Sequence, residues 1–390
     1  MEIIKESETN LSHVIKQLIR EKGKITFRDF MDMALYYPSL GYYTSTGEKI
    51  GWSGDFYTSP DVHKTFAVTV MKQLYEMSSF AKGDLAPTIV EVGAGKGKLC
   101  ADILESSKER FSSFFRSLKY VIAEKSKEMI ASQKTLLHER GLIHKVSWVA
   151  DPFSEYIDFA LIFSNELMDA FPVHKVIFDG EEWREIYVTL KDDSFVEISS
   201  NLSTPRLGNF LAGLKGPFEN GYTTEVNLTA GEWIKSAGNS IGSGFIMTID
   251  YGYPRADYYC DKRCEGTLLC YNKHKSNSDP YKLIGKQDIT AHIDFTTLAE
   301  AGDEVGLKVV GYCEQFHFLM GLGVFDELKD GVEQESFDLN SFQENLAIKK
   351  LLMPESMGGV FKVLIQSKGI ENPSLGAFSF KNLSNRLFTS

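Results

Sequence analysis

The sequence predicts an α/β fold, a doubly wound and mainly parallel sheet with an N-terminal helical extension and an α+β insertion. Three observations predict it. From Thr88 onward, apolar runs of strand length alternate with helical patterns in TIVEVGAGKGKLCADILESS, LKYVIAEKSKEMIASQKTLL, HKVSWVADPF and FALIFSNELMDAFPV. Such alternation implies parallel strands with helices on both faces. The rhythm stops between Val173 and Gly244 and resumes with the strand GFIMTIDYG, which marks the interval as an insertion. With 390 residues, 43% of them hydrophobic and 12% aromatic, the chain can bury one large core and a second lobe.

Taken in order, residues 10–36 read as two helices broken at Gly23, the second starting near Thr26, where Thr26 and Asp29 suit a capping arrangement. The glycine- and tyrosine-rich stretch YPSLGYYTSTGEKIGWSGDFYTSP has no period, and long irregular segments in compact domains are often functional. Phe66, Val70, Leu74 and Met77 then share one helical face. Within the insertion, HKVIFDGEEWREIYVTL reads as a hairpin, and a helix is expected near Ala230 to Ala237. A helix at DFTTLAEAGDEVG and a strand at GVFKVLIQSK complete the main domain. The expected division is an N-terminal helical and lid segment (1–80), a main domain (81–173 and 244–370), an insertion (174–243) that serves as a substrate or partner lobe, and a tail (371–390).

The formal net charge of -11 argues against nucleic acid as a partner, because phosphate binding needs a basic face. No segment has the length and apolarity of a membrane span, and the first residues read as neither signal nor transit peptide. Five cysteines without a dense framework fit a reducing compartment, so a cytoplasmic location is expected, or the mitochondrial matrix if a transit peptide lies outside this chain.

The stretch EVGAGKG, residues 91–97, places Gly93, Gly95 and Gly97 between a strand and a helix, where the backbone can approach a ligand and the helix offers free N–H donors. A phosphate-binding P-loop would need Ser or Thr after Lys98, and Leu99 stands there. A dinucleotide fingerprint would need glycine where Lys98 is, with an acidic residue nearer than Glu124. The acid-x-Gly-x-Gly-x-Gly form instead resembles the first motif of class I S-adenosylmethionine-dependent methyltransferases. That resemblance implies that the loop, with Glu91 at its start, passes the methionine tail. It further implies that Glu124 accepts the ribose hydroxyls and that Asp151 lies near the adenine.

The segments GYY, GDFYTSPD, EVGAGKG, NELMDAFPV, DYGY, GTLLCYNKH, DPY, GKQDITAHIDF, FLMGLG and FKVLIQSKG together resemble the MidA family of protein arginine methyltransferases, whose mitochondrial members assist complex I assembly. The resemblance runs from about Gly41 to Gly369 and departs from the family at Ala94, Asp61, His63 and Lys127. It implies a class I methyltransferase sheet, S-adenosylmethionine as cofactor, and a protein substrate bearing a target arginine, such as a respiratory complex I subunit. It also implies a lid over the donor, formed by GDFYTSPD, with Thr58 and Ser59 as polar contacts. The bland alternative is a loop in which Ser59 and Asp61 cap the next helix.

Asn165, Glu166 and Asp169 follow the fourth strand, at the edge where a doubly wound sheet meets its ligand. Carboxylates there match the planar fork of a guanidinium, and the competing reading makes these residues helix caps. Farther on, His274, Asp279, His292 and Asp294 are candidate substrate contacts. Cys260, Cys264, Cys270 and His274 depart from the spacing of a zinc knuckle, so no metal is expected. GNSIG follows a helix and not a strand, which disfavours a nucleophile elbow. Two functions stay open: an arginine methyltransferase, and a non-catalytic assembly or binding factor with a vestigial donor site.

Overall fold

The computed structural model describes residues 9–45, 59–83, 85–216, 218–328, 339–353 and 357–389. Its main sheet follows the path β6-β7-β5-β4-β1-β2-β3, built from β1 (Thr88–Val92), β2 (Lys119–Ala123), β3 (Val146–Val149), β4 (Ile157–Asn165), β5 (Ile241–Tyr253), β6 (Lys308–Glu314) and β7 (Phe361–Lys368). Strands β1 to β5 pair in parallel, and only β7 runs against its neighbours β5 and β6. The near-continuous apolar runs of β4 and β5 follow from this placement, since a central parallel strand is covered on both faces.

One face packs Phe66, Val70 and Leu74 of helix Lys64–Ser78 and Ile103 of helix Lys98–Arg110 against Ile89, Phe163 and Phe245. The other packs Ile234 of helix Leu228–Asn239 and Leu298 of helix Phe295–Asp303 against Val90, Ile162 and Ile246. Chain order reverses between β1 and β4, and their carboxyl ends lie side by side, with Val92 opposite Ser164. In an open α/β sheet such a reversal opens a crevice for ligand.

The second lobe joins the two ends of the sequence pattern. Ile25–Thr26 pairs antiparallel with Trp183–Lys191, which continues through His174–Phe178 to Thr223–Val226, while Ser194–Ser200 pairs along Trp183–Lys191. Helices Asn10–Lys22 and Phe27–Tyr36 lay Leu11, Ile15, Phe27 and Phe30 on the same core as Val173 and Val188. Thr26 caps the second helix by accepting from the Asp29 N–H at 3.0 Å, as its sequence suggested. The N-terminal segment and the insertion therefore share one sheet and one core, and helix Leu228–Asn239 belongs with the main sheet. A third, small sheet orders Lys275–Asn277, Leu269–Asn272 and Asp288–Thr290.

Among the described residues, no helix is long and apolar enough to cross a membrane.

Candidate active site

Gly93 and Gly97 hold left-handed φ values of 75° and 81°, which turn the chain out of β1 and into helix Lys98–Arg110. A Cβ at Gly93 would lie 2.8 Å from Leu167 Cδ1, and one at Gly97 would lie 3.0 Å from Gln133 Cγ. The glycine loop is therefore pressed between the segment after β4 and helix Lys127–Glu139. Gln133 fixes it: its amide donates to the Gly95 carbonyl at 2.7 Å while its oxygen accepts from Trp148 Nε1 at 2.9 Å. Gly95, with φ of 51°, is the middle of this cradle.

Glu91 departs from the expected ligand contact. Its carboxylate is buried and accepts from the Tyr120 hydroxyl at 2.7 Å, and burial raises its pKa to about 7. It supports the loop from beneath. Glu124 and Asp151 follow β2 and β3 at the open edge, where Glu124 accepts from Ser126 N–H at 2.8 Å and exposed Asp151 from Phe153 N–H at 3.0 Å. Each is held by a local turn at the end of its strand.

Across the crevice, the segment after β4 carries the expected carboxylates. Glu166 holds a φ of 52°, and its backbone N–H donates to Ile249 O at 2.9 Å. Its carboxylate accepts from Asn165 Nδ2 at 3.0 Å, the Tyr251 hydroxyl at 3.2 Å and Ser59 N–H at 3.4 Å. Burial, with a contribution from the Asp250 charge, raises its pKa to about 8. Asp169 is 6% exposed, and its Oδ1, like Asn165 Oδ1, has no hydrogen-bond partner among the described residues. Burial and then the charges of Asp250, Asp288 and Glu166 push its pKa well up. Neither carboxylate caps a helix: the backbone from 166 to 173 makes only turns and bends.

Several residues of this site escaped the sequence reading. Asp250, at the end of β5, accepts from the backbone N–H groups of Leu167 at 3.3 Å, Met168 at 2.9 Å and Tyr251 at 2.9 Å. It holds the Glu166–Asp169 turn in place. Asp288 receives the Tyr43 hydroxyl on both oxygens at 3.0 Å, and Tyr36 beside it donates to Ala170 O at 2.9 Å. The second lobe thus forms one wall. The available signal was chemical: Asp250 is a lone charge inside the apolar run GFIMTIDYG.

The remaining candidates divide. Ser59, expected at the donor, is fully buried between the Glu166 contact and Gln315, to which its hydroxyl donates at 3.2 Å. The helix Lys64–Ser78 is capped by His63, whose ring accepts from Thr65 N–H at 3.2 Å, and not by Ser59, while the Asp61 side chain lies outside the described residues. Thr58 and most of the expected lid lie outside the described residues. His292 is stacked on Tyr251 at 6.1 Å and lies close to Tyr253, and burial together with Arg263 and Lys362 lowers its pKa to about 4. It is a neutral support for a tyrosine that touches Glu166.

Asp294 is not a substrate contact. It caps helix Phe295–Asp303 through Thr296 N–H at 3.0 Å and pairs with Arg255 at 3.0 Å, which occupies its carboxylate. His274 sits at the exposed tip of the hairpin formed by Leu269–Asn272 and Lys275–Asn277, where φ of 59° belongs to the turn. Asp279 closes a turn onto Tyr281 N–H at 3.0 Å and pairs with Lys282 at 3.4 Å. Neither is brought to the Glu166 turn by these contacts.

The seven-strand order with its antiparallel β7, a glycine cradle after β1, and acidic residues after β2 and β3 define a class I S-adenosylmethionine-dependent methyltransferase. The family described as "Putative S-adenosyl-L-methionine-dependent methyltransferase" matches residues 65–313, and the chain belongs to it. A crystal structure from Burkholderia thailandensis bound to S-adenosyl-homocysteine is 30% identical and covers 96% of each chain with a TM-score of 0.87. Among curated relatives, the mouse (Mus musculus) "Protein arginine methyltransferase NDUFAF7, mitochondrial" is 26% identical over 88% of this chain and 81% of its own. A Drosophila melanogaster homologue of the same name is 26% identical over 93% and 85%. The resemblance to the MidA family read from the sequence agrees with these findings, and S-adenosylmethionine is the cofactor.

The residues present fit that cofactor. The left-handed turn at Gly93, Gly95 and Gly97 leads directly into the N-terminus of helix Lys98–Arg110, and Glu124 offers a carboxylate at the adjoining strand end. Gly93, Gly95 and Gly97 would hold the amino-acid tail, Glu124 the ribose and Asp151 the adenine edge.

Proposed function

We propose that the chain methylates an arginine side chain of a partner protein, with Glu166 and Asp169 holding the guanidinium. The observation that carries this is Asp169 Oδ1, a buried carboxylate oxygen without a partner, beside Asn165 Oδ1 in the same state. Both are acceptors, and a guanidinium brings five N–H donors in a planar fork. S-adenosylmethionine, when bound, supplies an electrophilic methyl group: its C–S bond breaks as a C–N bond forms to the acceptor nitrogen, which loses a proton. This chain's contribution is geometric and electrostatic. Glu166 and Asp169 would align one nitrogen toward the glycine cradle and favour charge on the remote nitrogens. The relatives named as protein arginine methyltransferases support arginine as acceptor.

The resemblance to the MidA family supports a respiratory complex I subunit as the protein that bears the arginine. All five cysteines are unpaired, which suits the reducing, cytoplasmic setting expected from composition. The insertion, with the N-terminal segment, serves as the substrate lobe, since it supplies Tyr36 and Tyr43 to the carboxylate wall. The test is Asp169→Asn and Glu166→Gln assayed with labelled donor. Each should keep near-normal S-adenosylmethionine affinity while arginine methylation falls at least about tenfold, or about 1.4 kcal/mol of transition-state stabilisation. Parental rates in both would remove the carboxylates from the reaction.

A further inference from the structure

The buried carboxylates at the Glu166 turn are more numerous than one cation needs. Glu166 and Asp169 come from the segment after β4, Asp250 from the end of β5, and Asp288 from the third sheet. Around them stand four phenols: Tyr36 and Tyr43 of the N-terminal segment, Tyr251 of β5 and Tyr271 of the third sheet, with neutral His292 behind Tyr251. Lys362 lies opposite Asp250 in the strand register, but its ammonium donates to the Gly359 and Val360 carbonyls. Among the described residues no ion pair gives a cation to Glu166, Asp169 or Asp250, and the charges weighing most on Asp169 are other carboxylates.

Adjacent buried carboxylates do not both ionise without a cation between them. Asp250 is the better placed of its pair to carry charge, because three backbone N–H groups point at it, whereas Asp169 has an oxygen with no donor among the described residues. Resting on the arginine reading above, we propose that the Asp169–Asp250 pair holds one proton in the resting enzyme and releases it to solvent when a substrate guanidinium enters. Asp250 is then a positioning residue twice over. It shapes the turn through Leu167 and Met168, and its charge keeps Asp169 protonated until a cation arrives. The charge of the site is conserved in the exchange, one proton leaving for one guanidinium entering. During transfer, the proton lost by the acceptor nitrogen returns to the pair, so the methylated cation leaves a site in its starting form.

The test is calorimetry at pH 6 on the full chain saturated with S-adenosyl-homocysteine. The titrant is N-acetyl-arginine N-methylamide, in two buffers of different ionisation heat. The expected result is at least one proton released per ligand bound, since Glu166 is also protonated at pH 6, falling toward zero at pH 9. Affinity should rise with pH by up to about tenfold per unit over the acidic side of that range. Asp250→Asn keeps an oxygen for the Met168 N–H and removes the like charge. Its proton release at pH 6 should drop, and its affinity profile should shift to lower pH, which a purely structural role for Asp250 would not produce. Should that variant fail to fold, Asp169→Asn must release fewer protons at pH 6 than the parent. Binding without proton release in the parent overturns the exchange while leaving the arginine reading intact, and so does an unshifted profile in Asp250→Asn. Failure of the blocked arginine to bind, with S-adenosyl-homocysteine bound normally, overturns both.

Discussion

Glu166 combines two unfavourable features, a left-handed backbone and a buried carboxyl, and neither serves the fold by itself. A non-glycine residue so placed costs roughly 1–3 kcal/mol and persists where the surroundings hold it for function. The burial has a pH signature whose sign is fixed. Because the folded pKa is raised from 4.5 to about 8, Glu166's contribution to stability is fully present below about pH 4.5 and is lost as pH climbs toward 8. Gln mimics the neutral acid. Glu166→Gln should therefore melt several degrees above the parent at pH 9, with the difference vanishing near pH 4.5, while its arginine methylation falls. Equal melting temperatures at pH 9 would mean that the carboxyl is solvated. At the glycine cradle, Gly97→Val sets a branched side chain at φ of 81° against Gln133. Calorimetry should show S-adenosylmethionine affinity down by at least about tenfold with the fold retained.

At the scale of elements, the second lobe rests on helix Asn10–Lys22. Ile15 is fully buried in the core that also contains Val188 from the 174–243 insertion, far along the chain. Ile15→Ala should destabilise the protein by about 2–5 kcal/mol in denaturant titration, yet leave donor affinity nearly unchanged, since the cradle belongs to the other core. A collapse of donor binding in a folded variant would show that the lobes are energetically one. The strands and helices of the main sheet were legible because each is local: the apolar runs of β1, β4 and β5 and the helical face of Phe66, Val70, Leu74 and Met77 carry their own period. The pairing of Ile25–Thr26 with Tyr187 and Val188 was not, because two residues have no period and their partner lies in the insertion. The same holds for the site. Asn165, Glu166 and Asp169 were proposed from one strand end, whereas Asp250 and Asp288 reach them only through β-pairing and the third sheet. Asp294 misled because a helix cap and a ligand contact use the same residue type in the same kind of turn.

For the whole molecule, the net charge of -11 and the concentration of buried carboxylates at the lobe junction point the same way, toward a cationic side chain presented by another protein. The central claim is methyl transfer to arginine through the Glu166 turn. It is tested most directly by mass spectrometry of arginine methylation in three otherwise identical cell populations: one with the intact gene, one without it, and one carrying Glu166→Gln. The predicted result is a small set of protein arginines that lose methylation in the second population and stay unmethylated in the third, although the purified variant still binds S-adenosylmethionine. No change at any arginine in either altered population, with donor binding intact in the parent protein, would contradict the account and leave a binding factor in its place.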